Sequence, residues 1–186
     1  MTTEPLTRRE QILATAADLF AARGFHGVSV ADLGAACGIS GPALYKHFVS
    51  KDAVLAEMLV SISEELLRVG RERVAQAPDA RAAVAALVDW HVSFALRQRS
   101  LIVVQDRDWE SLPVKAREQV RQLQREYVDL WADQLRALHP QLDRDRARAM
   151  AHAAFGLINS TPHSGLLPEA PMRDLLTDMA LRSLSV

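Results

Sequence analysis

A single cysteine, Cys37, stands among 186 residues, which excludes an internal disulfide and fits a reducing compartment. Glycine and proline are scarce, eight of each, so long disordered tracts are not expected. No apolar run approaches the length of a membrane span, and the opening MTTEPLTRRE lacks the apolar stretch of a secretion signal. A soluble, cytoplasmic protein without membrane contact is the expectation. A net charge of −1 excludes a protein that coats nucleic acid through sheer basicity. In the first 55 residues Arg8, Arg9, Arg23, Lys46 and Lys51 are matched by Glu4, Glu10, Asp18, Asp32 and Asp52. Any nucleic-acid reading must rest on where the positive groups sit.

What is present is hydrophobic residue, 49% of the chain and mostly Ala, Leu and Val. It recurs at helical rather than strand spacing nearly throughout, so the fold class is all-α. Ile12, Leu13, Ala16, Leu19 and Phe20 mark a first helix from about Thr7 to Arg23, with Thr7 and Glu10 spaced as a capping box. Gly24 ends it. Ser29 caps a short helix closed by Gly38, and Ser40 caps another over Gly41–Phe48, with Pro42 in its tolerant first turn. Ser50 caps a helix running towards Val74. Further helices follow over about Asp79–Arg97, Pro113–Leu138 and Asp143–Asn159, and a last one opens at Pro171. The segment SLIVVQDRDWESLP reads as a short helix and a turn. Residues 1–49 form a three-helix head and residues 50–186 a larger helical body.

The Gly41–Phe48 stretch carries the functional signal. At 100° per residue, Leu44 and Phe48 share an inward side, with Ser40 and His47 flanking it. Pro42, Tyr45, Lys46 and Val49 point the opposite way. Two short helices joined by a tight turn, the second with a polar outer face, describe a helix-turn-helix whose second helix fits a DNA major groove.

The run TRREQILATAADLFAARGFHGVSVADLGAACGISGPALYKHFVSKDAVL, which contains LYKHFVSK, resembles the N-terminal DNA-binding domain of the tetracycline-repressor (TetR) family of bacterial transcription regulators. The resemblance covers about the first quarter of the chain. It implies a head that binds a double-stranded operator and a body for effector binding and dimerisation. It implies that Tyr45 and His47 contact phosphates or base edges, that Lys51 holds a phosphate, and that Ser29 makes a backbone contact. Ser40, Gly41, Pro42, Ala43 and Lys46 complete the expected DNA-facing set. Gly41 and Pro42 depart from the family, which commonly has a longer polar residue and then Gly. With Ala43 they offer almost no side-chain hydrogen bonds to bases. Readout is therefore expected to lean on thymine methyls, Tyr45, Lys46 and DNA shape.

A two-headed regulator needs a homodimer, because one short helix in one groove gives too little affinity. The last two helices are the candidates, with the stripe Ala147, Met150, Ala151, Ala154, Phe155 and Ile158; intramolecular packing is the alternative. For a small apolar or amphipathic effector, including a fatty acyl-CoA, the expected pocket residues are Trp90, His91, Phe94, Trp109, Tyr127, Trp131, Phe155 and Asn159. Cys37 occupies a position that reads as packing rather than redox sensing. The six His residues show no metal-ligand spacing, and no phosphate loop or nucleophile elbow is present. Neither catalysis, nor a metal, nor a cofactor is expected. A helical interaction module without DNA binding would leave the Tyr45–Lys51 surface unexplained.

Overall fold

The computed structural model describes residues 7–185. Among them the chain forms nine α-helices and no strand: α1 Arg8–Arg23, α2 Val30–Ala36, α3 Gly41–Leu44, α4 Lys51–Gln76, α5 Ala80–Arg97, α6 Arg99–Asp108, α7 Val114–Leu138, α8 Arg144–Ile158 and α9 Glu169–Ser183. They build two compact units that are not contiguous in sequence. The first takes residues 1–61 and 100–119; the second takes 62–99 and 120–186. The sequence reading placed 100–119 with the body. Contact instead groups most of α6 with the head.

The first unit follows from its caps. The Thr7 side chain accepts from the Glu10 N–H while Glu10 reaches back to the Thr7 N–H at 2.8 Å, which closes the expected capping box on α1. Ile12, Ala16, Ala17 and Phe20 form its buried face. Gly24 ends α1 with φ of +78°, a conformation that costs glycine little. Ser29 and Asp32 make a second capping box at α2. Gly38, at φ +67°, turns the chain towards α3. Gly34 allows α2 to lie against that turn: a Cβ there would come within 2.9 Å of the Ile39 carbonyl oxygen and 3.0 Å of the Gly41 nitrogen. Ile39 donates its N–H to the Gly34 carbonyl at 2.9 Å.

Helix α6 is tied to the end of α1 by charge. Arg107 donates to the carbonyls of Phe20 and Ala21 in the last turn of α1; the Phe20 carbonyl also accepts the Gly24 N–H at 2.8 Å. Buried Asp108 accepts from the Phe25 N–H at 3.2 Å and pairs with Arg107 at 3.2 Å. Ser100 donates to Asp18 at 2.7 Å, and Ser111 and His26 Nε2 lie 3.0 Å apart. Nothing in the helical periodicity of residues 99–108 signals this long-range role, so the sequence reading missed it.

In the second unit α5 packs against α8 and α9, and α8 against α9. Asp79 caps α5 and Asp143 caps α8, each accepting from the third N–H of its helix. Helix α9 begins at Glu169, two residues earlier than expected from Pro171. A proline in the first turn is tolerated because its missing N–H would have no partner there. The α8 stripe proposed for dimer contact faces inward: Ala147, Ala151, Ala154 and Ile158 are buried within the protomer. Intramolecular packing was the correct alternative for those side chains. No helix of the described residues is long and apolar enough to cross a membrane.

Candidate functional site

The α3 region is shorter and tighter than its sequence suggests. The α-helix ends at Leu44 rather than Phe48. Lys46 and His47 donate their N–H groups to carbonyls three residues back, at 3.2 and 2.9 Å, while Phe48 reaches Leu44 four back at 3.0 Å. A single turn capped by the Ser40 side chain (Ala43 N–H to Oγ, 3.2 Å) thus runs into a tight turn over 45–47. Leu44 and Phe48, 2% and 3% exposed, anchor the two ends of that turn in the core. Between them Tyr45 is 55% exposed, Lys46 is exposed and His47 is half-buried. Pro42 and Val49 are exposed as expected, while Gly41 and Ala43 are half-buried.

Cations of this unit are mostly committed. Arg8 donates to the Cys37 carbonyl, Arg23 pairs with Asp32 at 3.4 Å, and Arg9 pairs with Glu57. Lys51 donates through Nζ to the carbonyls of Phe25 and Val28, at 2.8 and 2.7 Å, and sits 4.2 Å from the Phe25 ring centre. Two of its three N–H donors are thereby used inside the protein. The Ser29 hydroxyl is likewise engaged, at 2.6 Å from Asp32. Lys46 is the exposed cation of the turn itself, next in sequence to the exposed Tyr45. Such a surface presents one aromatic, one charge and several small apolar groups, which suits apolar base-edge contacts and few phosphate contacts.

The second unit brings six of the eight expected pocket residues together. His91 stacks on Phe155 with ring centres 4.6 Å apart and 11° between planes, and on Tyr127 at 5.8 Å and 17°. Trp131 stands edge-on to His91, Tyr127 and Phe155, and Phe94 lies 5.8 Å from His91. Asn159 Oδ1 is 3.1 Å from His91 Nε2, and the Tyr127 hydroxyl is 3.3 Å from Nδ1. With Asn159 Oδ1 as acceptor, Nε2 carries the proton and Nδ1 accepts from the Tyr127 O–H. Burial pushes the His91 imidazole down to about 4, with the Asn159 bond opposing, so the ring is neutral at pH 7. Burial also raises the Tyr127 hydroxyl, with the nearby Trp131 indole opposing. The buried Trp131 Nε1 makes no hydrogen bond of sound geometry.

The cluster touches α4 at Gly70, where a Cβ would lie 2.8 Å from the Tyr127 ring. It approaches the surface at Phe155 and Asn159, which are only half-buried. Trp90 turns elsewhere: its Nε1 donates to the Leu66 carbonyl at 3.2 Å, and Arg97 lies 5.7 Å from its ring centre. Trp109 belongs to the first unit. Its placement follows from α6 returning to the head, which helical spacing alone does not reveal.

Residues 12–58 match the family described as "Bacterial regulatory proteins, tetR family", and residues 77–184, more than half of the chain, match "Tetracyclin repressor-like, C-terminal domain". The chain belongs to the TetR family. The family is one of bacterial regulatory proteins, and the curated relatives are transcriptional regulators of the helix-turn-helix type. The HTH-type transcriptional repressor KstR2 of Rhodococcus jostii is 33% identical over 131 residues, 70% of this chain. The match spans 64% of that repressor, less than two thirds of its length. A TetR-family transcriptional regulator from Bordetella parapertussis has the same fold, with a TM-score of 0.82 and 27% identity over 93% of each chain. AibR, in complex with isovaleryl coenzyme A and operator DNA, shares the fold with a TM-score of 0.71 and 19% identity, over 93% of this chain and 97% of that one.

Proposed function

We propose that the protein is a dimeric repressor that holds a palindromic operator and leaves it when an apolar or amphipathic effector, such as a fatty acyl-CoA, binds its second unit. The exposed Tyr45–Lys46 pair, on a turn pinned at both ends by Leu44 and Phe48, carries this reading. Tyr45, Lys46 and His47 meet the DNA; Pro42 and Ala43 meet base methyls. Ser29, Ser40 and Gly41 approach the backbone, and Lys51 reaches a phosphate with its remaining donor. The Rhodococcus jostii relative is a repressor, which supports the sign of regulation.

The partner for two-fold binding is a second copy of this chain. Its contact is the outward side of α8 and α9. Ala149, Ala153 and Gly156 are exposed there, and a Cβ on Gly156 would meet nothing within 4 Å. On α9, Leu175 and Met179 stay 43% and 45% exposed. Small residues allow close helix approach, and large exposed apolar side chains favour burial on association.

The effector enters the aromatic cluster at its half-buried edge, Phe155 and Asn159. Asn159 Nδ2 then offers its N–H donors to an acceptor on the ligand while the rings take the apolar part. AibR holds a coenzyme A thioester and operator DNA, the two ligand kinds this reading requires. Effector and operator must oppose one another reciprocally.

Selection of bound duplexes from random DNA by the purified full chain tests the reading. An inverted repeat with half-sites about one helical turn apart is expected; absence of any enriched sequence would overturn it.

A further inference from the structure

We infer that Arg9, on α1, is a positioning residue that sets the recognition turn and contacts no phosphate. The inference rests on the proposed DNA reading and names how that surface is aimed. Arg9 uses its guanidinium as a three-way strut. Nε and Nη2 take the two carboxylate oxygens of Glu57 on α4. Nη1 donates to the carbonyl of His47, the last residue of the turn that carries Tyr45 and Lys46. The guanidinium carbon also lies 4.2 Å from the ring centre of Phe48, the turn's buried anchor. One side chain therefore links α1, the exit of the recognition turn and α4.

Chemistry makes the site specific. A helix end leaves carbonyls without partners, and a cation there is favoured by the helix dipole. Only arginine presents a planar fork that meets a carboxylate bidentately while a further N–H turns to a carbonyl. The α-helical part of α3 spans four residues and leaves little internal stiffness over 45–47. Leu44 and Phe48 hold the turn's depth; Arg9 holds its lateral position. The Arg9–Glu57 pair is about half exposed, at 47% and 34% of their side chains, so its loss costs the fold little. Its loss is felt in the aim of Tyr45 and Lys46.

The test compares wild type, Arg9→Gln, Arg9→Lys and Glu57→Gln. The probes are the duplex selected by the wild-type protein and a random duplex of equal length, across a range of salt concentrations. In Arg9→Gln the affinity ratio of selected to random duplex is expected to fall about tenfold, the loss of one charge-assisted hydrogen-bonded link. The slope of log affinity against log salt stays at the wild-type value, because no phosphate contact is lost. Arg9→Lys fails to restore the ratio, since an ammonium lacks the fork. Glu57→Gln lowers the ratio with Arg9 intact and serves where Arg9→Gln does not fold. A salt slope reduced by about one per protomer in Arg9→Gln would make Arg9 a phosphate contact and overturn the inference. So would an unchanged ratio, or one that falls only with the folded fraction in a thermal melt. Failure of the wild-type protein to select any duplex would remove the DNA reading itself, a different result from either.

Discussion

The ammonium of Lys51 sits 4.2 Å from the ring centre of Phe25 and donates to that residue's own carbonyl at 2.8 Å. A second donor holds Val28 at 2.7 Å. The loop between α1 and α2 is thus stapled to the first residue of α4. Lys51→Met keeps the length of the stem, strands the Val28 carbonyl and leaves the Phe25 carbonyl only the long Val28 N–H bond at 3.4 Å. The chain is expected to lose about 1–3 kcal/mol of stability, read from the denaturant midpoint. An unchanged midpoint would show that water satisfies the carbonyls equally well.

Gly34→Ala tests how closely α2 and the following turn must approach. Its added methyl would sit 2.9 Å from the Ile39 oxygen and 3.0 Å from the Gly41 nitrogen, both backbone atoms that cannot swing aside. A loss of about 1–3 kcal/mol is expected from the forced separation, with weaker binding to the selected duplex. Gly165→Ala, in open space, is the matched control and leaves the fold intact. Equal thermal midpoints for the two variants would contradict the geometry.

His91 makes stability depend on pH. Its imidazole titrates at about 4 when folded against 6.5 when exposed, chiefly through burial. The unfolded chain therefore binds a proton that the folded chain refuses. The contribution is complete above pH 6.5 and is lost progressively down to about pH 4, up to about 3 kcal/mol in all. His91→Gln is expected to flatten the stability curve across that window, as measured by urea titrations at several pH values. A curve of unchanged slope would mean that other groups set the pH dependence.

Ala153→Arg places a long cation on the outward face of α8, where the wild-type side chain is exposed and small. If two copies meet there, sedimentation will show a monomer in place of a dimer. Affinity for the selected duplex should then fall at least about a hundredfold, because paired half-site binding is lost. A variant that remains dimeric places the contact elsewhere.

Much of this was legible in one dimension because its causes are local. Thr7 with Glu10, Ser29, Ser40, Asp79 and Asp143 are caps, and a cap is written in residues three apart. Gly24 and Gly38 end helices for conformational reasons that no distant residue alters. Periodic apolar residues gave the all-α class, and the sparing of Tyr45 and Lys46 from that pattern marked the outward surface. The head's family resemblance follows from these short-range features.

Other features depended on partners far along the chain. Helical spacing could say that α8 has an apolar stripe, but only packing against α5 and α9 showed that Ala147, Ala151 and Ala154 face inward and leave Ala149 and Ala153 outside. It could gather His91, Tyr127, Trp131, Phe155 and Asn159 as candidates, but their stacking and shared hydrogen bonds arise across three helices. Arg9, Arg107 and Asp108 carry no distinct signal in the sequence, and Lys51 was expected only as a phosphate contact. Each bonds backbone groups of a segment that lies elsewhere in the chain. A local pattern determines which segments are helical and which face is apolar, because those energies act over a few residues. Which helix meets which face, and which cation meets which carbonyl, is decided by burial and hydrogen-bond satisfaction over the whole tertiary structure.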